Sequence, residues 1–180
     1  MLYNTGLKNC TYKVSGSLTR KPLTGAQKIS FASNSAERTI SVRTDKGAVA
    51  YSDTIETGKT ATLEIVQLPV DFLVDVLGYD YTNGILTEKT KHKATHFSLY
   101  YEVQTDTEPQ RVQIFDCVCA KPDFDVTTIT NTPSVDIKKL KLLISPEKTN
   151  IGISDNYSRS TSHSENATAF DTWFSTISEG

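Results

Sequence analysis

Few side chains in this sequence have both the type and the spacing for chemistry. His92 and His96 stand four apart, the spacing with which one helical face can grip a zinc ion. No glutamate follows His92, as the hydrolytic form of that motif requires. His96 also opens a strongly alternating stretch, and in a strand positions i and i+4 lie about 13 Å apart. Ser160, Ser162 and Ser164 surround His163, but they sit in a polar run with no G-x-S-x-G elbow. A nucleophile must be held to fractions of an ångström, which such a run does not do. Asp71 with Asp75, and Asp123 with Asp125, are carboxylate pairs that a helix's polar stripe and a turn after Pro122 explain. Cys10, Cys117 and Cys119 form an odd set. The last two project from one face of a strand with Cα atoms roughly 6.5–7 Å apart, at or beyond disulfide reach. They read as free buried thiols. No glycine-rich loop is present to cradle phosphates. The expectation is a non-enzymatic protein with no catalytic, cofactor-binding or metal-binding residues.

The elements that would have to position any site are those of an ordinary globular chain. Its 180 residues, 37% apolar and 22% charged, suit one domain with a sizeable core and a tail to spare. No apolar run approaches the ~20 residues that cross a bilayer, so no membrane partner is expected. The net charge of −2 argues against a general nucleic-acid binder, which shows a basic face. The amino terminus has no basic segment followed by an apolar one. A cytosolic place of synthesis is expected, and the acceptor patterns at Asn9, Asn156 and Asn166 are read as chance.

Residues 58–88 are where the backbone habit changes. Residues 60–67 alternate as a strand. Pro69 then suits the first turn of a helix, and Val70, Leu73, Val74 and Leu77 recur at i, i+3, i+4 and i+7. Phe72 and Val76 widen that face until only Asp71 and Asp75 remain polar. A helix over about 69–78 ends at Gly78, and Asn83-Gly84 turns the chain into a strand over 85–89. Upstream, an arm (1–9) precedes a short strand around 10–14, and residues 15–22 are loop. Period-2 alternation predicts strands at 26–32, 38–43 and 48–52, with residues 33–36 as a joint and 44–47 as a hairpin turn. Downstream, 95–104 is the strongest strand. Residues 111–120 form its return, with Val112, Ile114 and Val118 on one face and Phe115, Cys117 and Cys119 on the other. Two apolar faces imply a cover on both sides. A last strand over 135–144 switches parity after Ile137, which implies a bulge. Residues 145–166 turn polar, and Phe170, Trp173, Phe174 and Ile177 then repeat at helical spacing. The fold class expected is mainly β: an antiparallel sandwich or partly closed barrel, one short flanking helix, and extended N- and C-terminal arms. The body is 1–146 and the polar arm 147–180. Strand order is left open.

Three stretches, TATLEIVQLPVDFLVDVLGYDYTNGILTEK, HFSLYYEVQ and RVQIFDCVCAKPDFDVTTITNTPSVDIKKLKLLISP, carry a resemblance over residues 51–146. In order and spacing the chain resembles the major tail protein of long, non-contractile-tailed phages. That resemblance implies a virion subunit joined side to side into six-membered rings that stack into a hollow tube. It also implies a lumen holding the tape-measure protein and then passing DNA without sequence-specific contacts, and other tail proteins at the tube ends. Assembly in the host cytoplasm and residence in the virion tail follow from it. The apolar helix and the two-sided strand suit such a role, because a neighbouring copy would cover them. Phe72, Val76, Leu77, Phe170, Trp173 and Phe174 are therefore the expected subunit contacts, with the 39–52 hairpin and both arms. A non-enzymatic β-sandwich binding module is the alternative.

Overall fold

The computed structural model describes residues 4–44, 47–89, 93, 95–105, 109–122, 137–144 and 157–161. The strands are β1 (Asn4–Val14), β2 (Lys21–Pro22), β3 (Ala26–Thr44), β4 (Gly47–Ile65), β5 (Asp80–Thr82), β6 (Ile85–Thr87), β7 (His96–Thr105), β8 (Gln110–Cys119), β9 (Lys138–Ile144) and β10 (Tyr157–Thr161). One short helix, α1 (Val70–Asp75), follows β4. The main sheet runs β2-β1-β7-β8-β9-β4-β3, every pairing antiparallel. It remains open, with β2 at one edge and β3 at the other. The mainly β, antiparallel expectation with one short helix therefore holds, and the sheet does not close into a barrel.

One face of this sheet carries the core, in which Leu63 and Ile65 of β4, Leu99 of β7, Ile114 of β8 and Leu140 and Leu142 of β9 are fully buried. Helix α1 is seated on it through three edge-to-face rings: Phe72 meets Tyr12 at 5.0 Å and Phe97 at 5.7 Å. Each aromatic pair adds about 0.5–1.5 kcal/mol beyond area burial. The helix is shorter than the expected 69–78, with Pro69 as its N-cap and Val76 as its C-cap. Gly78 takes φ 71°, and the Tyr79 amide donates back to the Leu73 carbonyl at 3.0 Å.

Several expected features take a different form, each for a backbone reason. Residues 33–36 do not join two strands. They are part of the 19-residue β3, paired with an equally long β4, and the irregularity shrinks to a bulge where Asn34 pairs Gly58 and Ser35 pairs Glu56. Cross-strand hydrogen bonding holds polar residues in a ladder whatever their propensity. Strand β8 is not apolar on two faces. Phe97 pairs Cys117 while Leu99 pairs Ile114, so β8 carries one extra residue and its parity flips there. Val112, Ile114, Cys117 and Cys119 then all enter the one core. The predicted bulge in β9 is not found among the described residues: the strand begins at Lys138, leaving Ile137 exposed ahead of it, and Val135 lies outside them. Strand β1 starts at Asn4, inside the expected arm, with Asn9 at φ 50° absorbing a bulge. Leu23, just past the expected loop, is a core residue. Within the polar C-terminal arm, β10 pairs residues 110–114 of β8 along the edge that β9 leaves open.

Candidate functional site

Two features reach out from this body. The first is the far half of the β3–β4 hairpin. The near half is held in the sheet, because β4 residues 59–65 pair with β9. From Ser35↔Glu56 to Thr44↔Gly47, however, the two strands pair with each other and, among the described residues, with no other strand. Ten residues per strand extend this ribbon about 33 Å. Thr44 pairs Gly47, the two residues that bound the predicted turn, and residues 45 and 46 lie outside the described residues. Gly58, at φ 148° with its Cβ position open, stands where the ribbon leaves the sheet.

The second is the β5–β6 hairpin. Asn83 and Gly84 both have positive φ, 52° and 80°, which gives a two-residue turn of the type that matches strand twist. The register places Tyr81 opposite Leu86 and Thr82 opposite Ile85, so both faces carry an apolar side chain. Tyr81 is 54% exposed, Ile85 66% and Leu86 39%. A polar clasp fixes the hairpin at its base. The Lys121 ammonium donates to Glu88 Oε1 at 2.9 Å and to the Lys89 carbonyl at 2.6 Å, and lies 5.1 Å from the Tyr79 ring centre. Lys89 in turn pairs with Asp80 at 2.7 Å. Burial and the Glu88 carboxylate push the Tyr79 hydroxyl pKa up. The hairpin is thus a fixed knob with its greasy side chains in water.

The residues expected at subunit contacts divide. Phe72, Val76 and Leu77 are 0%, 1% and 0% exposed within the single chain. Within the chain they belong to the core on its own sheet. Phe170, Trp173 and Phe174 lie outside the described residues, as do His92, Asp123 and Asp125. Tyr81, Ile85 and Leu86 were not among the expected contacts. Their signal was Asn83-Gly84 flanked by apolar residues that belong to no longer periodic run.

The candidate chemical groups have structural partners. His96 Nδ1 lies 3.0 and 3.1 Å from the two oxygens of Asp116, a buried carboxylate. Asp75, on the helix's polar stripe, accepts from Tyr12 at 3.1 Å and from Lys21 at 2.6 Å. Burial, then the Asp75 charge, push the Tyr12 hydroxyl pKa up. Burial also raises the Cys10 and Cys119 thiols to about 12. All three cysteines are free. Among the described residues, no three His, Cys, Asp or Glu side chains are grouped to hold a metal ion.

No protein-family model matches the chain, and no curated protein does. Similar chains occur in solved structures. One lies in the six-fold symmetrised baseplate of the anti-feeding prophage, at 8% identity and a TM-score of 0.42, covering 79% of this chain and 89% of that one. A second lies in the cap that terminates the tube of the same particle, at 12% identity and 0.42, covering 85% and 88%. A third lies in the extended sheath-tube complex of an extracellular contractile injection system, at 14% and 0.41, covering 76% and 84%. The third particle is a contractile system, whereas the sequence resemblance is to a non-contractile tail subunit.

Proposed function

We propose that this chain is a structural subunit that polymerises with copies of itself into the wall of a phage tail tube. In this reading stacked six-membered rings enclose a conduit for the tape-measure protein and then DNA, and other tail proteins close the ends. The observation that carries the reading is the β3–β4 ribbon. A two-stranded ribbon about 33 Å long is at best marginally stable alone in water. One built into a well-packed body calls for a surface to lie on, and a neighbouring copy supplies it by a heterologous contact that closes into a ring or repeats along an axis. The exposed Tyr81, Ile85 and Leu86 add a second, apolar contact of the kind that marks association sites. The resemblance over residues 51–146 is what specifies a tail tube among self-assembling structures.

Negative-stain electron microscopy of the purified chain tests this. Rings or tubes are expected from the full chain. A variant in which residues 36–55 are replaced by Asn-Gly keeps a cooperative thermal transition and forms neither. A full chain that stays a monodisperse monomer at high concentration overturns the proposal in favour of a binding module.

A further inference from the structure

Strands β9 and β10 lie along the same edge of β8 and run in the same direction. β9 pairs Ile144 with Cys117, Leu143 with Val118 and Leu142 with Cys119, while β10 pairs Tyr157 through Thr161 with Ile114 back to Gln110. A β9 continued in its own register would bring position 147 opposite Ile114. The residue there is Tyr157, ten later. Pro146, with no amide hydrogen to give to a ladder, stands in the way of that continuation. From Ile114 to Cys117 the edge of β8 covers only about 10 Å. The connection across it, residues 145–156, is twelve residues long. It has several times the length that the step requires.

We propose that residues 110–114 of β8 are a strand-acceptor site, and that in the assembled state its occupant is β10 of a neighbouring copy, exchanged for the chain's own. Twelve residues span at most roughly 40 Å. A compact body of about 146 residues has a radius of gyration near 15 Å and measures about 38 Å across. The connection therefore reaches the equivalent edge of a copy in direct contact, and no farther. β10 contains no aliphatic residue, so its hold on β8 comes from the backbone ladder. That ladder is the same whichever copy supplies the strand. Left empty, this stretch of β8 would present unpaired amides and carbonyls beside the core, so the site stays filled and the strand is traded, not lost. Each copy gives one strand and receives one, which keeps every rung and adds a link between subunits at low cost. The inference rests on the tube reading and deepens it, because it names the segment that ties one copy to the next.

Cross-linking tests it. Gln110 and Thr161 are directly opposed in the register, and opposed antiparallel residues have Cα atoms about 4.5–5.5 Å apart, within disulfide range. The native cysteines belong to the core or pack against it. The full chain carrying Gln110→Cys/Thr161→Cys is assembled under reducing conditions, oxidised, and run on denaturing gels without reductant. Exchange predicts a ladder of covalent multimers holding most of the chain, which neither single variant gives. Oxidising the same variant first, as dilute monomer, locks β10 onto its own β8. That is expected to cost most of the tube yield in electron micrographs, with recovery on reduction. Tubes whose linked chains all migrate as monomers overturn the exchange and leave the tube reading standing. Locked monomers that assemble undiminished do the same. An unmodified full chain that forms no rings or tubes overturns both. Arg111→Cys/Ser160→Cys, one rung along, repeats the readout on an independent pair.

Discussion

Asp75 on α1 and Lys21 on β2 are joined by a 2.6 Å ion pair, and the Tyr12 hydroxyl donates to the same Asp75 oxygen at 3.1 Å. One carboxylate thus ties the helix to two strands of the sheet edge. The pair is partly open to water, with side-chain exposures of 38% and 26%, which limits its strength. Asp75→Ala is expected to cost about 1 kcal/mol, mostly through the Tyr12 hydroxyl left without its acceptor, and Lys21→Ala less. Urea denaturation of the two single variants and the double variant measures it.

Phe72 gives a sharper contrast between two readings. Its ring meets Tyr12 and Phe97 edge-on and is wholly buried. Phe72→Ala should lower stability by about 3–5 kcal/mol. A residue whose cover came from a neighbour would instead weaken assembly and leave the subunit's denaturation curve in place.

Ile85 should behave in the opposite way. It is exposed on a hairpin held by Lys121 and Glu88, so Ile85→Lys is expected to change stability by no more than about 0.5 kcal/mol. In the tube reading the same substitution shortens or abolishes tubes, as counted in electron micrographs.

The thiols set an alkaline limit. Burial holds Cys10 and Cys119 at about 12, from an ordinary value of 9.0. The folded pKa lies above the unfolded one, so this contribution is fully present below about pH 9 and declines as pH rises from 9 towards 12, where the unfolded chain ionises first. Stability measured across that window should fall, and less steeply in Cys119→Ala relative to its own neutral-pH value. At pH 8 a maleimide reagent should label these two thiols far more slowly in the native protein than in urea.

Much of the architecture was legible in the sequence because local rules decide it. Pro69 caps the start of the helix, Gly78 takes the positive φ just past its end, Asn83-Gly84 makes a turn, Thr44 and Gly47 pair at the end of a hairpin, and alternation marks β7. Such features depend on residues a few positions apart, and a linear pattern records them. What the tertiary structure alone decided depends on partners far along the chain. A single extra residue at Phe115-Asp116, between the Phe97↔Cys117 and Leu99↔Ile114 pairs, turns an apparently two-faced strand into a one-faced one. Phe72 is internal because Tyr12 and Phe97 converge on it, and a hydrophobic stripe by itself does not say whose surface covers it. The ribbon beyond Gly58 stands apart because β9 ends its pairing with β4 at Lys59↔Ile144. Exposure is a property of what else is near, and only the folded chain brings that near.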